Sequence, residues 1–388
     1  MKISILILVL LSSSNLYSQN SRDEFDVFLL PQGYGVKLLS STGTSSIIND
    51  ISNLGFMNPA SISGFDNYTA GLSYQLSSSI DEAYILSIGS SRIHNWYPQS
   101  FGGTVKWNNF TLGLGFGQKY NGTLDFGKIP VTTSSNPDGT GEFIEPVMES
   151  TIQTYSITAA YALKELFQTK DNLSFGIRFN LNRFHQKEEL DKLNIKATAL
   201  FSNVTIGLIY DLIYSDYRRL KLGLSYESNS KFKAEIEVHS QQLTPQIDSL
   251  PPTNLNPIKI YYTGETPAEL RFDLAADITT NFLLYSNLTT VFWKTSNNNL
   301  KDQIEFSTGV TFNISEKFST GIGLYYSDRK YQEDILRLNS KFEVLFLTTG
   351  LKYSLKFFYI DLSIADSHLI SGEFREQTIG KLGLGVIF

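Results

Sequence analysis

The sequence contains no cysteine and only four histidines among 388 residues. Without thiols there can be no disulfide scaffold, no cysteine nucleophile, no thiolate-bound zinc and no iron–sulfur cluster. Long hydrophobic runs are also missing: no stretch of about 18 apolar residues occurs, so no transmembrane helix is encoded. Positive charge is not concentrated either. Lys+Arg 32 stand against Asp+Glu 38, for a formal net charge of −6, and no basic run could follow a phosphate backbone, so nucleic acid is not an expected partner. What is plentiful is Phe (27), Tyr (21) and Gly (28).

The most apolar segment lies at the start, where Lys2 precedes Ile3–Leu11, then Ser12-Ser13-Ser14 and Tyr17-Ser18. A charged head, a short greasy stretch and a small residue at the cut predict a signal peptide over 1–18 and an exported chain.

From Tyr68 onward the side chains alternate with the period of a two-faced strand. Leu72, Tyr74 and Leu76 alternate with Gly71, Ser73 and Gln75, Phe110, Leu112, Leu114 and Phe116 with Thr111, Gly113, Gly115 and Gly117, and Leu270, Phe272 and Leu274 with Glu269, Arg271 and Asp273. One face is apolar and the other is charged, polar or glycine. Sandwich strands average about five or six residues, whereas about ten tilted residues cross a bilayer. In hydrocarbon every backbone group needs an internal partner, so such strands must close into a barrel with the apolar face outward.

Candidate strands fall at 67–76, 99–108, 109–120, 150–163, 172–184, 197–211, 219–232, 258–279, 281–294, 302–314, 316–327, 341–354, 356–366 and 377–388, fourteen in all. With this count the short links share one side and the long ones (77–98, 121–149, 185–196, 233–257, 328–340, 367–376) the other, as in bacterial outer-membrane barrels. The segment 80–91 alternates poorly and reads as loop, or as an extension of a hairpin. Residues 19–66 are too irregular to span and read as a tail or as a plug, since fourteen strands enclose a lumen too wide for side chains alone. The expected architecture is all-β: a transmembrane antiparallel β-barrel over 67–388, with an N-terminal hatch over 19–66.

Asn58-Pro59-Ala60, running through Gly64-Phe65-Asp66 into the first strand, resembles the hatch-to-strand junction of the FadL/TodX family of outer-membrane transporters for hydrophobic compounds. Thr266-Pro267-Ala268-Glu269, followed by a hairpin to Trp293, resembles that family's Pro-containing strand and the Trp closing the next one. The terminal Phe388 resembles the signal that barrel assembly machinery reads. The resemblance implies passive uptake of a long-chain-fatty-acid-like molecule, with lateral exit at a kinked third strand into the membrane. A sister group of such barrels serves protein secretion to the cell surface, which implies a secretion-system protein partner instead.

Gly113, Gly115 and Gly117 on the inward side of the third strand have two readings, a kink or room for a closely packed hatch. Asn58 and Pro59 start a turn or, by the resemblance, couple the hatch to the strand-three gate. Among inward charges, Arg178, Arg271 and Lys381 are candidates for an anionic ligand head; alternatively they pair with the hatch or with Glu227, Glu269, Asp273, Asp277, Glu305 and Asp361. Tyr74, Tyr210, Tyr226, Trp293 and Tyr326 read as an interfacial girdle. His94, His185, His239 and His368 fall in four separate outer loops without metal-ligand spacing, and no nucleotide loop or catalytic motif is present. No metal, cofactor or enzymatic activity is expected; the expected contacts are outer-membrane lipids and a hydrophobic small molecule.

Overall fold

The computed structural model describes residues 46–65, 68–82, 90–125, 128–130, 141–145, 147–166, 171–190, 193–215, 218–240, 258–296, 301–328, 344–368 and 377–388. Residues 1–18, expected as a signal peptide, and residues 19–45 lie outside the described residues.

Fourteen antiparallel strands close on themselves. They are β1 (Tyr68–Glu82), β2 (Ser90–Trp107), β3 (Phe110–Asp125), β4 (Val147–Lys164), β5 (Asp171–Leu190) and β6 (Leu193–Ser215). Next come β7 in two halves (Arg218–Glu227 and Ser230–Ser240) and β8 in two halves (Ile258–Thr266 and Glu269–Thr279). The series ends with β9 (Phe282–Val291), β10 (Gln303–Asn313), β11 (Phe318–Ser327), β12 (Val344–Ser354), β13 (Phe358–Asp366) and β14 (Gln377–Ile387). Each strand pairs with its sequence neighbours, and β1 pairs with β14 from Thr69↔Ile387 to Ser79↔Gln377, which removes the open edge. All fourteen sequence-derived strands are present.

The faces are inverted relative to a soluble fold. Leu72, Leu114, Ile157, Ile177, Phe272, Ile304, Ile322 and Leu362 stand exposed on the outside, while Thr69, Ser73, Thr111, Thr154, Ser156, Asn180 and Ser307 are buried within. A continuous apolar belt of this extent is a lipid-facing surface. Its inner end is closed by short turns, such as Asn108-Asn109 between Trp107 and Phe110, where Asn108 takes φ 54° as asparagine tolerates.

The wall is uneven in height. Strands β9 to β14 have 9–11 residues, enough to span and no more. Strands β4, β5 and β6 have 18, 20 and 23 and rise past the membrane with the outer halves of β7 and β8. The segment expected as a loop at 185–196 is therefore mostly paired strand, Lys187↔Lys196 and Leu190↔Leu193. His185, His239 and His94 sit in such extensions, not in loops, and 80–82 with 90–91 extend the first hairpin. The outward face turns from apolar (Ile177, Phe179, Leu181) to charged (Arg183, Lys231, Lys233, Lys259) where the strands leave the belt.

One expectation is corrected here. Trp293 is not interfacial: it opens a short helix, Trp293–Ser296, is buried, and donates Nε1–H to Gln303 Oε1 at 3.0 Å. The pairing of β3 runs regularly through Gly113, Gly115 and Gly117, and its irregularity falls further on, between Gln118 and Tyr120.

The height assignment is testable by unfolding from lipid vesicles. Ile177→Arg, within the belt, should lower stability by about 2–4 kcal/mol, whereas Thr198→Arg, outward but above the belt, should change it by less than about 1 kcal/mol.

Candidate functional site: the segment inside the lumen and the wall around it

Residues 46–65 run along the inner side of the wall in two 3₁₀ turns, Ile51–Asn53 and Pro59–Gly64. Each turn has a side-chain cap. Ser52 N–H donates to Asp50 Oδ1 at 3.1 Å, and Ala60 N–H to Asn58 Oδ1 at 3.0 Å, with proline suited to the first helical position. Ile51, Leu54, Met57, Ile62 and Phe65 form a small apolar core with Ala160 and Tyr359 of the wall.

Inward glycines make room for this segment. Gly71 faces Ile51, Gly115 faces Leu54, Gly113 lies near Ile62, and a Cβ at Gly117 would sit 2.8 Å from the Phe56 ring. The glycines of β3 thus follow the packing reading. Two further glycines, not singled out by the sequence, are tighter still. A Cβ at Gly176 would lie 2.3 Å from the Pro59–Ala60 backbone, and one at Gly207 only 2.0 Å from Asn58 Oδ1.

Asn58 occupies the space that Gly207 leaves. Its Nδ2 donates to Leu208 O at 3.3 Å and Leu224 O at 3.1 Å, on the register pair joining β6 and β7. The expectation that it would bond the edge of strand three is corrected: Asn58 is tied to the wall of β6 and β7 instead. Pro59 and Ala60 lie against β5.

The three inward cations named from sequence all hold the segment. Arg178 Nη1 donates to Met57 O at 2.9 Å, Arg271 Nη1 to Phe56 O at 3.4 Å, and Lys381 Nζ to Asn53 Oδ1 at 2.6 Å. Asp273 accepts from Ser46 N at 3.1 Å and Ser46 Oγ at 2.6 Å. Asp50 accepts from Tyr359 OH at 2.5 Å and Asn53 Nδ2 at 2.6 Å, with Lys381 Nζ 4.0 Å away. Burial pushes the Asp50 carboxyl up, but Lys381, Lys352 and the Tyr359 and Ser52 hydrogen bonds together bring it below the ordinary carboxylate range.

Outward of this segment the wall parts. β2 and β3 pair from Trp107↔Phe110 to Ser100↔Gly117, and no register partner joins them beyond that among the described residues. β3 continues to Asp125 on β4 alone. On the lipid side the end of the zipped stretch carries a ring stack, Phe101 on Phe116 at 4.7 Å and Phe116 by Tyr155 at 5.3 Å. Gly55 N–H reaches Ser100 Oγ at 3.4 Å, so the inner segment touches the point of separation. Just above, the bulge of β3 turns both Lys119 and Tyr120 inward.

Over Gly55, Phe56 and Met57 lies a cavity of about 60 Å³, bordered by Lys119, Tyr120, Arg178, Glu227, Glu269 and Arg271. That volume holds water and no acyl chain. Further out, Tyr120, Ile152, Phe184, Phe201 and Phe232 form an apolar cluster with Ala197, Ala199 and Ala234. Phe232 stacks on Phe201 at 4.8 Å, lies 5.5 Å from Phe184, and fills the space over Gly264, where a Cβ would be 2.3 Å from its ring. A larger apolar concavity, about 560 Å³, lies on the lipid-facing side of the wall around Phe175, Ile177, Ile206 and Leu224, and not in the lumen. Sequence reasoning missed Lys119, the aromatic cluster and the Gly176/Gly207 seat; the one available signal for the seat was a glycine between Ser174 and Arg178 in the inward row of β5 and another beside Thr205 and Asn203 in that of β6.

No protein-family model matches the chain, and no curated protein matches it. Solved structures do. The Pseudomonas putida toluene transporter TodX aligns with a TM-score of 0.60 at 13% identity, over 92% of this chain and 97% of that one. The Ralstonia pickettii toluene transporter TbuX gives 0.59 at 14%, over 92% and 98%. A Pseudomonas aeruginosa FadL homologue gives 0.60 at 12%, over 93% and 99%.

Two measurements test the seat. Asn58→Ala, which removes both of its side-chain hydrogen bonds to the wall, should weaken docking of 46–65 by about 1–3 kcal/mol, read as faster hydrogen exchange in that segment with unchanged exchange in the barrel. Because the docked Asp50 carboxyl lies below the free value of about 3.9, its contribution is full above that pH and is lost as pH falls through the docked value. Exchange should therefore stay slow at neutral and mildly acid pH and accelerate only below about pH 4, and Asp50→Asn should be looser at pH 7 without that acid transition.

The chain has the fold of the FadL/TodX-type barrels.

Proposed function

We propose that this protein is a bacterial outer-membrane channel for passive uptake of hydrophobic small molecules, with residues 46–65 as part of a hatch and with lateral exit between β2 and β3. The observation that carries the reading is the parting of β2 from β3 at Ser100 and Gly117, directly beside the inner segment. A straight path to the inner side meets the 60 Å³ charged cavity and the buried segment beneath it. Moving an acyl chain through water costs about 0.8 kcal/mol per CH₂, so a sideways path into hydrocarbon avoids that penalty and leaves the hatch in place. The aromatic cluster on the outer side supplies an apolar receiving surface.

Solved barrels of this fold include proteins named as toluene transporters and a monoaromatic hydrocarbon channel, which supports a small hydrophobic cargo. In this reading the protein binds no cofactor and catalyses no reaction.

The test uses vesicles with a lipopolysaccharide outer leaflet and two probes, labelled toluene and a labelled long-chain fatty acid. At least one should enter faster than through protein-free vesicles, and a hydrophilic sugar should not. A Gln99→Cys/Gln118→Cys pair, placed at the start of the unzipped stretch in a chain with no native cysteine, should cut uptake at least tenfold when oxidised and restore it on reduction. Undiminished uptake in the oxidised pair would refute the lateral exit. A stable protein partner bound through the outer loops, with no uptake of either probe, would favour the secretion role instead.

A further inference from the structure

Three departures from regular pairing are brought together across the lumen: the β3 bulge at Lys119, the break at Ser228–Asn229 within β7, and the break at Pro267–Ala268 within β8. One side chain joins them. Lys119 Nζ crosses the lumen to Glu227, the last residue of the inner half of β7, and to Glu269 Oε1 at 3.4 Å, the first residue of the inner half of β8. The three side chains are 16%, 14% and 10% exposed. Glu227 and Glu269 are register partners, so two carboxylates lie side by side, a repulsive arrangement unless a cation stands between them. Asn203 Nδ2 fixes Glu227 Oε1 from β6 at 2.6 Å.

We infer that Lys119 is a positioning residue that ties the outer part of β3 across the lumen to β7 and β8 and so keeps the passage from the aromatic cluster to the β2–β3 slot shut at rest. This rests on the uptake reading above. Tyr120, the next residue, belongs to the aromatic cluster, and the slot begins at Gly117, two residues before. A solute moving from one to the other passes the Lys119 side chain. An apolar solute offers no replacement partner to an ammonium or a carboxylate, so parting the bridge exposes unpaired charges away from bulk water. The bridge is therefore a barrier that cargo must displace, and it lies over the hatch residues Gly55–Met57 that line the same cavity.

The test uses the full chain in the vesicles described above. The triple variant Lys119→Met/Glu227→Gln/Glu269→Gln removes the bridge, while Arg178 and Arg271 of the same cavity keep their hydrogen bonds to the Met57 and Phe56 carbonyls. Uptake should rise at least fivefold, whereas Lys119→Arg, which keeps the bridge, should stay within twofold of wild type. A second readout separates gating from mere stability: a Tyr120→Cys thiol should react with a membrane-partitioned maleimide at least fivefold faster in the triple background than alone. A triple variant that assembles as a heat-modifiable barrel with wild-type uptake and unchanged labelling overturns the inference. Wild-type vesicles with no uptake would sink the uptake reading, and the labelling ratio would then decide on the bridge by itself. If the triple variant does not assemble, Glu269→Gln, which leaves the Lys119–Glu227 pair, should give about a twofold rise in both readouts, and no change in either overturns the inference.

Discussion

Hydrocarbon offers no hydrogen-bond partners, and this one constraint organises the molecule. Every backbone group crossing the lipid must be paired within the wall, so the strands close from β1 to β14 and the apolar side chains turn outward. The inside then inherits the serine, threonine, asparagine and charged residues. A polar interior of that width cannot be filled by wall side chains alone, and residues 46–65 of the same chain pack against part of it. The inner segment differs from a protein core in one respect: its greasy residues Ile51, Leu54 and Ile62 pack onto glycines, while its backbone carbonyls are met by long cationic side chains.

That arrangement explains why inward cations make poor evidence for a ligand site. A barrel that holds a segment with exposed carbonyls needs donors, and arginine and lysine reach furthest. Arg178, Arg271 and Lys106 each donate to a backbone carbonyl of the segment, and Lys381 to the Asn53 side chain. Asp273 does the reverse, accepting an N–H. These contacts are individually replaceable. The Asn58 seat is less so, because it depends on the missing side chain of Gly207 as well as on two carbonyls.

The barrel itself was legible in the sequence because the bilayer imposes a sharp contrast between neighbouring residues. Where that contrast ends, legibility ends. Above the belt the outward row of β5 changes from Ile177, Phe179 and Leu181 to Arg183 and His185, so both faces look mixed and 185–196 reads as a loop although it is paired strand. The bulge at Lys119 left no trace for a similar reason: it adds one residue to a strand without changing composition. The glycines two to six residues earlier were visible and drew the kink to themselves. Trp293 looked interfacial because strand ends and interfaces carry the same residue types; only the Gln303 partner distinguishes a buried indole. The partners of Asn58 lie about 150 residues downstream, and no local pattern points there.

The depth at which β2 and β3 separate follows from the same constraint. Separation leaves two strand edges without a ladder, and each orphaned backbone group in hydrocarbon costs several kcal/mol by roughly the scale of amide transfer. Only near the outer boundary, within reach of headgroups and water, does that penalty become small. β3 begins at Phe110 and parts from β2 after Gly117, so most of the roughly ten residues a strand needs to cross remain paired on both sides. Pro98, in the unzipped stretch of β2, has no N–H to leave without a partner, and Gln75 with Tyr97, and Ser73 with Gln99, add side-chain hydrogen bonds to the β1–β2 pair beside it. A slot cut deeper would strand more groups than such contacts can satisfy. The parting is therefore confined to the outer part of the wall, and under the proposed lateral exit a hydrophobic molecule would meet lipid near the headgroups.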